Sequence, residues 1–282
     1  MTDTAYTAEL LFELLDIAKT TALAASELAT QMRGSGIEVA ATKSSILDIV
    51  TEGDRATEQL IKKLILEQRP DDGFLGEETG FTPGKTSVVW VVDPIDGTVN
   101  YLYNNPNWAV SIAAVDVTHP MTEEEFTVDP AVNKLLVGAV YMPATKELYY
   151  ASAGGGAFLN GEKISGPFVG NDLGSSLVST GYPYTADDRA RWSAKIEGIV
   201  DVVRDLRRLG AASLDICFVA SGKQDVYIET KIRPWDWAAG AIIASEAGVV
   251  YKIANLRGIS APVHIVANKD VLEELTEWLE RV

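Results

Sequence analysis

The chain has 282 residues, 47% of them hydrophobic, and a formal net charge of -16. That length and apolar content fit a globular fold with a substantial core and exclude a disordered chain. The acidic balance argues against nucleic acid as a partner, and no apolar run reaches the ~18 residues of a membrane span. A single cysteine, Cys217, excludes an internal disulfide framework and a cysteine-based zinc site. The N-terminal "MTDTAYTAELLFELLDIAKT" lacks a basic segment followed by an apolar core, so it does not read as a signal peptide, and a cytoplasmic location is expected.

Residues 7–33 carry apolar positions at helical spacing, and Gly34 and Gly36 close the segment. A second helical pattern, "DRATEQLIKKLILEQ", opens at Asp54 and stops at Pro70. "FLGEETG" reads as a short strand and loop. Val88 to Val92, "AVSIAAVDV", "KLLVGAVYM" and "ELYYASA" read as strands. Between the second and third of these lies the polar excursion "THPMTEEEFTVDPAVN". "AGGGAFLNG" reads as a turn, because no helix follows it as a phosphate-binding loop requires. "SSLVSTG", "DVYIE" and "HIVAN" are further strands; "DDRARWSAKIEGIVDVV", "AASLDICFVASG", "WDWAAGAIIASEAG" and "DVLEELTEWLERV" are helices. The mixture implies a layered α/β or α+β fold. A composition break at residues 165–174 divides residues 1–282, read as one domain, into two packed halves of about 1–170 and 171–282.

The stretch "VVWVVDPIDGTVNYLY" places Asp93 and Asp96 at the end of an apolar strand. A carboxylate there is costly without a partner, and two close together raise each other's pKa. A divalent cation removes both problems, and oxygen ligands from Asp, Glu and the carbonyl of Ile95 suit Mg²⁺. The bland alternative is an Asx-type turn with Asp as a helix cap. Gly97, Thr98 and Val99 could open a helix whose free N–H groups face a phosphate. Glu77 sits at the end of a short strand just upstream. Asp54 and Asp236 each open a helix, with an N-cap as the bland reading. Trp235 and Trp237 suggest that Asp236 is partly buried and in need of a partner. His119 and His264 lie too far apart in the pattern to form a site, and Cys217 reads as a buried structural thiol.

"GEE" at Gly76 to Glu78, "WVVDPIDGTVNY" and "WDWAAGAIIASEAG", in that order and spacing, resemble the inositol monophosphatase family over about Lys43 to Asn268. The resemblance implies an αβαβα sandwich, usually a homodimer, and a Mg²⁺-dependent, lithium-sensitive phosphomonoesterase. It implies that Glu77, Asp93 and the Ile95 carbonyl hold one Mg²⁺, that Asp93, Asp96 and Asp236 hold a second, and that a third, weaker ion sits near Glu77. Gly97, Thr98 and Lys43 would meet the phosphate. Asp54 would bond Thr98, and Thr98 with Glu77 would orient the attacking water. Asp96, Ala212 and Glu229 would contact substrate. The chain departs from the family at Ala211, where a hydroxyl residue is common, at the long 117–134 excursion, and at "GYPY", Gly181 to Tyr184.

The activity implied is hydrolysis of myo-inositol 1-phosphate by metal-activated water, without a covalent phospho-enzyme. Rivals within the family act on fructose 1,6-bisphosphate, histidinol phosphate or 3′-phosphoadenosine 5′-phosphate. A different class of reading is a non-catalytic binding protein, as for family members associated with transcription and translation. Such a scaffold would be expected to have lost one of Glu77, Asp93, Asp96 and Asp236, and all four are present.

Overall fold

The computed structural model describes residues 6–35, 39–42, 49–117, 134–166, 170 and 172–281. Lys43, His119 and residues 118–133 of the excursion lie outside them. The chain begins with α1 (Ala8–Gly34), the short strands β1 (Val39–Thr42) and β2 (Ile49–Thr51), and α2 (Glu52–Gln68). There follow β3 (Gly73–Gly76), β4 (Gly80–Thr82), β5 (Val88–Asp96), α3 (Thr98–Leu102) and β6 (Ala109–Asp116). Then come β7 (Lys134–Met142), β8 (Glu147–Ser152), β9 (Gly156–Leu159) and β10 (Glu162–Ile164). The remainder supplies β11 (Leu177–Thr180), α4 (Ala186–Ile196), β12 (Asp205–Arg207), α5 (Ala212–Ala220) and β13 (Val226–Thr230). It closes with α6 (Pro234–Glu246), β14 (Val250–Ala254), β15 (Val263–Ala267) and α7 (Lys269–Arg281).

Strands β10-β9-β8-β7-β6-β5-β3-β4 form an eight-stranded sheet, and β12-β11-β13-β15-β14 a five-stranded one. Helices α1 and α2 cover the outer face of the first sheet. There Leu14, Ile17, Ile61 and Ile65 pack on Phe74, Trp90 and Ile112. Helices α5 and α6 lie between the sheets, which is why every residue of α5 and the middle of α6, Trp237 to Ala244, is buried. Helices α4 and α7 close the outer face of the second sheet, with Trp192, Leu275 and Leu279 over Val178, Val226 and Ile265. The order is therefore helix, sheet, helix, sheet, helix, the αβαβα sandwich that the family resemblance implies. Among the described residues no helix is long and apolar enough to cross a membrane.

Several sequence-based boundaries change. Strand β5 runs on through Asp96, with an irregularity in its pairing to β6 between Asp93 and Asp96. The helix expected over residues 187–203 ends at Ile196 and continues as a single 3₁₀ turn at Ile199–Asp201, because Gly198 interrupts it. The "AGGG" turn leads into β9, which pairs antiparallel with β8. Asp54 and Asp236 are not N-caps. Thr51 caps α2 and Arg233 caps α6, and each aspartate stands at the third helical position, its carboxylate accepting the cap residue's backbone N–H.

Candidate active site

The site lies where the C-terminal end of β5 meets the N-terminal ends of α3, α5 and α6, in a cavity of about 620 Å³. Hydrophobic residues bury the whole of β5, so the strand delivers Asp93 and Asp96 into the interior at fixed positions. Asp93 Oδ1 accepts the N–H of Ile95 at 2.9 Å, the Asx-type turn that the bland reading predicts. That turn does not exhaust the site, because Asp93, Asp96 and Asp236 converge. One carboxylate oxygen from each lies within 4.8 Å of the others.

The electrostatics of this convergence are unfavourable without a cation. Burial, then the charges of Glu77, Asp96 and Asp236, push the Asp93 carboxyl well above the usual range. Burial and the Glu77 and Asp96 charges do the same to Asp236. Asp96 is pushed up to about 6 by burial, although bonds from Ser213 and the Ala212 N–H pull it down. An all-oxygen set of this kind, buried and mutually repelling, fits a hard divalent cation. Glu77 is not one of the three converging carboxylates, but its side chain reaches Asp93, and its N–H is fixed to Val92 O at 3.2 Å.

Gly97 follows Asp96 with φ +92, a left-handed conformation that favours glycine, and caps the five-residue α3. Thr98 Oγ1 lies 3.1 Å from both Asp54 Oδ1 and the Ile95 carbonyl oxygen. Asp54 is fully buried and also accepts the Thr51 hydroxyl at 2.5 Å; burial pushes its carboxyl up to about 6. Ala212 lines the cavity, but its N–H already donates to Asp96 Oδ1 at 3.2 Å. Glu229, on β13, accepts the Tyr227 hydroxyl at 3.0 Å, and burial pushes its carboxyl up to about 7. Gly181 leaves room for it, since a Cβ there would lie 2.1 Å from the Glu229 carboxylate. The structure thus brings Asp54, Glu77, Asp93, Ile95, Asp96, Gly97, Thr98, Ala212, Glu229 and Asp236 to one region, while Lys43 lies outside the described residues.

Three features escape sequence reasoning. Glu58, fully buried in α2, accepts the N–H groups of Glu78 and Thr79, each at 2.8 Å, and so holds the loop that carries Glu77. Its position four residues after Asp54 on the same helix is the one sequence signal for it. Ser213 donates its hydroxyl to Asp96 at 2.5 Å. Tyr182 and Tyr184 of "GYPY" line the cavity despite departing from the family pattern.

The layered fold and its acidic cluster define a protein with a group of carboxylates that could hold a metal ion beside a ligand pocket. The chain belongs to the inositol monophosphatase family, whose profile matches residues 11–280. It is 37% identical over 260 residues to an inositol-1-monophosphatase of Mycobacterium bovis, covering 88% of this chain and 83% of that one. It is 35% identical over 223 residues to the Nus factor SuhB of Xylella fastidiosa, covering 78% and 74%. The fold is similar to that of the extragenic suppressor protein suhB from Bartonella henselae, with a TM-score of 0.81, 27% identity, and 95% and 99% of the two chains covered.

Proposed function

We propose that this chain hydrolyses myo-inositol 1-phosphate to inositol and phosphate, with two or three Mg²⁺ ions held by Glu77, Asp93, the Ile95 carbonyl, Asp96 and Asp236. The observation that carries the reading is the convergence of the buried Asp93 and Asp96 carboxylates with the partly buried Asp236, beside Gly97 and Thr98. Relatives named inositol-1-monophosphatase support the substrate. Bound there, Mg²⁺ supplies a Lewis acid that makes water nucleophilic near neutral pH and turns an acidic pocket into one that accepts an anion.

The chain's own residues do the positioning. The Gly97 and Thr98 backbone, with the Thr98 hydroxyl, faces the phosphate. Asp54 accepts the Thr98 hydroxyl and fixes its direction, so that Thr98 and Glu77 orient the attacking water. Glu229 meets inositol hydroxyls. As water adds to phosphorus, the bond from phosphorus to the inositol oxygen breaks.

Phosphate release from inositol 1-phosphate, fructose 1,6-bisphosphate, histidinol phosphate and 3′-phosphoadenosine 5′-phosphate, each with Mg²⁺ and with chelator, tests this. Chelator-sensitive turnover fastest on inositol 1-phosphate is expected. A different best substrate would overturn the substrate assignment alone. Absence of turnover on all four would favour the non-catalytic reading that the Nus factor relatives raise.

A further inference from the structure

Asn100 sits on α3, three residues after Gly97, and is only 9% exposed. It does not line the cavity. Its side-chain amide nitrogen donates to the Asn107 carbonyl at 2.6 Å and to the Leu209 carbonyl at 2.8 Å, with the Gly210 carbonyl at 3.4 Å. All three partners are acceptors only, so the amide can face them solely with its NH₂ group. One buried side chain thus ties the α3–β6 connection to a segment 109 residues further along the chain.

The tied segments lead into two adjoining walls of the site. Gly97 and Thr98 line the cavity on one side of the junction, and Gly210 and Ala212 on the other. The two backbones are in contact there. A Cβ at Gly97 would lie 3.2 Å from the Gly210 carbonyl oxygen and 3.3 Å from the Ala211 Cβ. The second wall is held at its far end by Asp96, which accepts the N–H groups of Ala212 and Ser213. At its near end, residues 208–211 form neither helix nor strand, and the Asn100 amide fastens them to α3. The turn at Gly97 does not depend on that amide. It keeps its own backbone bonds, from Tyr101 N–H to the Gly97 carbonyl at 2.9 Å and from Asn105 N–H to the Asn100 carbonyl at 2.8 Å.

We propose that Asn100 is a positioning residue, which places the Gly210–Ala212 wall against the phosphate-binding turn and thereby selects the alcohol to which the phosphate is attached. The phosphate meets Gly97 and Thr98, and the alcohol meets the wall that carries Ala212. A rigid ring is aligned for reaction only when both walls hold it in register. A short, flexible alcohol reaches the turn without help from the second wall. This rests on the phosphatase reading above, and the test separates the two.

The experiment compares kcat/KM for inositol 1-phosphate and for glycerol 1-phosphate in the wild-type enzyme and in Asn100→Ala. The ratio of the inositol value to the glycerol value is expected to fall by about tenfold, within the range that a misplaced pocket wall costs. Inhibition by inorganic phosphate, which needs the turn alone, and Mg²⁺ affinity by calorimetry are each expected to change by less than about twofold. A substrate ratio that stays within about twofold overturns the proposal. If both rates are kept, the amide only fills space; if both fall together, Asn100 supports the fold at large. A loss of about tenfold in phosphate or Mg²⁺ affinity would trace the effect to the turn or to Asp96, and would overturn it as well. Asn100→Ser keeps one donor, so an intermediate ratio is expected, and it serves if Asn100→Ala does not fold. If the wild type turns over neither substrate, the phosphatase reading fails. Calorimetric binding to the Mg²⁺-loaded protein then decides the role of Asn100. Inositol 1-phosphate is expected to bind Asn100→Ala about tenfold more weakly, with inorganic phosphate unchanged. Equal binding of the ester, or none by the wild type, would contradict the proposal.

Discussion

The Asp96 carboxylate, from the end of the eight-stranded sheet, accepts both the N–H (2.7 Å) and the hydroxyl (2.5 Å) of Ser213 in the first turn of α5. A helix that sits between two sheets is thereby fixed to the strand that carries the proposed metal ligands. One side chain serves structure and chemistry together.

Ser213→Ala removes one of those bonds and leaves the backbone contact. Loss of a buried bond to a carboxylate costs about 1–3 kcal/mol, which corresponds to a drop of about 2–10 °C in the melting temperature of a chain this size. Half-maximal activity is expected to require more Mg²⁺, because Asp96 loses a bond that fixes its direction. Unchanged melting and unchanged Mg²⁺ dependence would contradict the relationship.

Glu58→Ala leaves the Glu78 and Thr79 N–H groups without their buried acceptor. Each costs about 1–3 kcal/mol if unsatisfied, so a lower denaturation midpoint is expected. The loop bearing Glu77 loosens with it, and calorimetry should show Mg²⁺ affinity reduced by about tenfold, the scale seen for residues that orient metal ligands. Glu58→Gln, which keeps one acceptor oxygen, should fall between. Wild-type Mg²⁺ affinity in both variants would show that Glu58 holds the fold and not the site.

Gly97 and Gly161 share a left-handed backbone, with φ +92 and +91, but differ in surroundings. A Cβ at Gly97 would meet Asn107 O at 2.8 Å, whereas one at Gly161 meets nothing within 4 Å. Gly97→Ala is expected to abolish most turnover and to cost about 1–3 kcal/mol in strain. Gly161→Ala should cost about 1 kcal/mol and leave kcat unaffected. Equal kinetics for the two variants would remove Gly97 from the proposed phosphate contact.

The metal-free protein should become less stable as pH rises. Burial raises Asp54 from an ordinary 3.8 to about 6 and Glu229 from 4.5 to about 7. Folded carboxyls with raised pKa hold protons that the unfolded chain has released, so the penalty is absent below pH ~4 and complete above pH ~7. The melting temperature in chelator should therefore fall between pH 5 and pH 7.5, and Mg²⁺ should raise it more at pH 7.5 than at pH 5. A flat profile in chelator would contradict the burial of these groups.

Much of this was legible in the residues. The apolar run of β5 and the aspartates at its end mark a buried charge that needs a partner, for which the stretch itself left a divalent cation and an Asx-type turn as alternatives. The joining of Glu77, Asp93, Asp96 and Asp236 was not derivable from spacing, because they come from the loop after β3, from β5 and from α6, and only the packed elements bring them near one another; family resemblance supplied that step. Thr51 escapes notice as a cap because the aspartate three residues later is the more conspicuous signal, although in a capping box both positions take part; Arg233 stands at the cap position of α6 without a side-chain cap bond. Glu58 and Ser213 stayed hidden because their partners are backbone groups and a carboxylate distant in sequence.

The most direct test is Mg²⁺-dependent phosphate release from inositol 1-phosphate by wild type and by Asp93→Asn. Asp93 is one of the residues that would hold Mg²⁺, and burial with the neighbouring carboxylates pushes its carboxyl well above the usual range. The account predicts that Asp93→Asn folds with a melting temperature at or above that of the metal-free wild type and loses nearly all turnover even at saturating Mg²⁺. Near-normal turnover by the folded variant would contradict it.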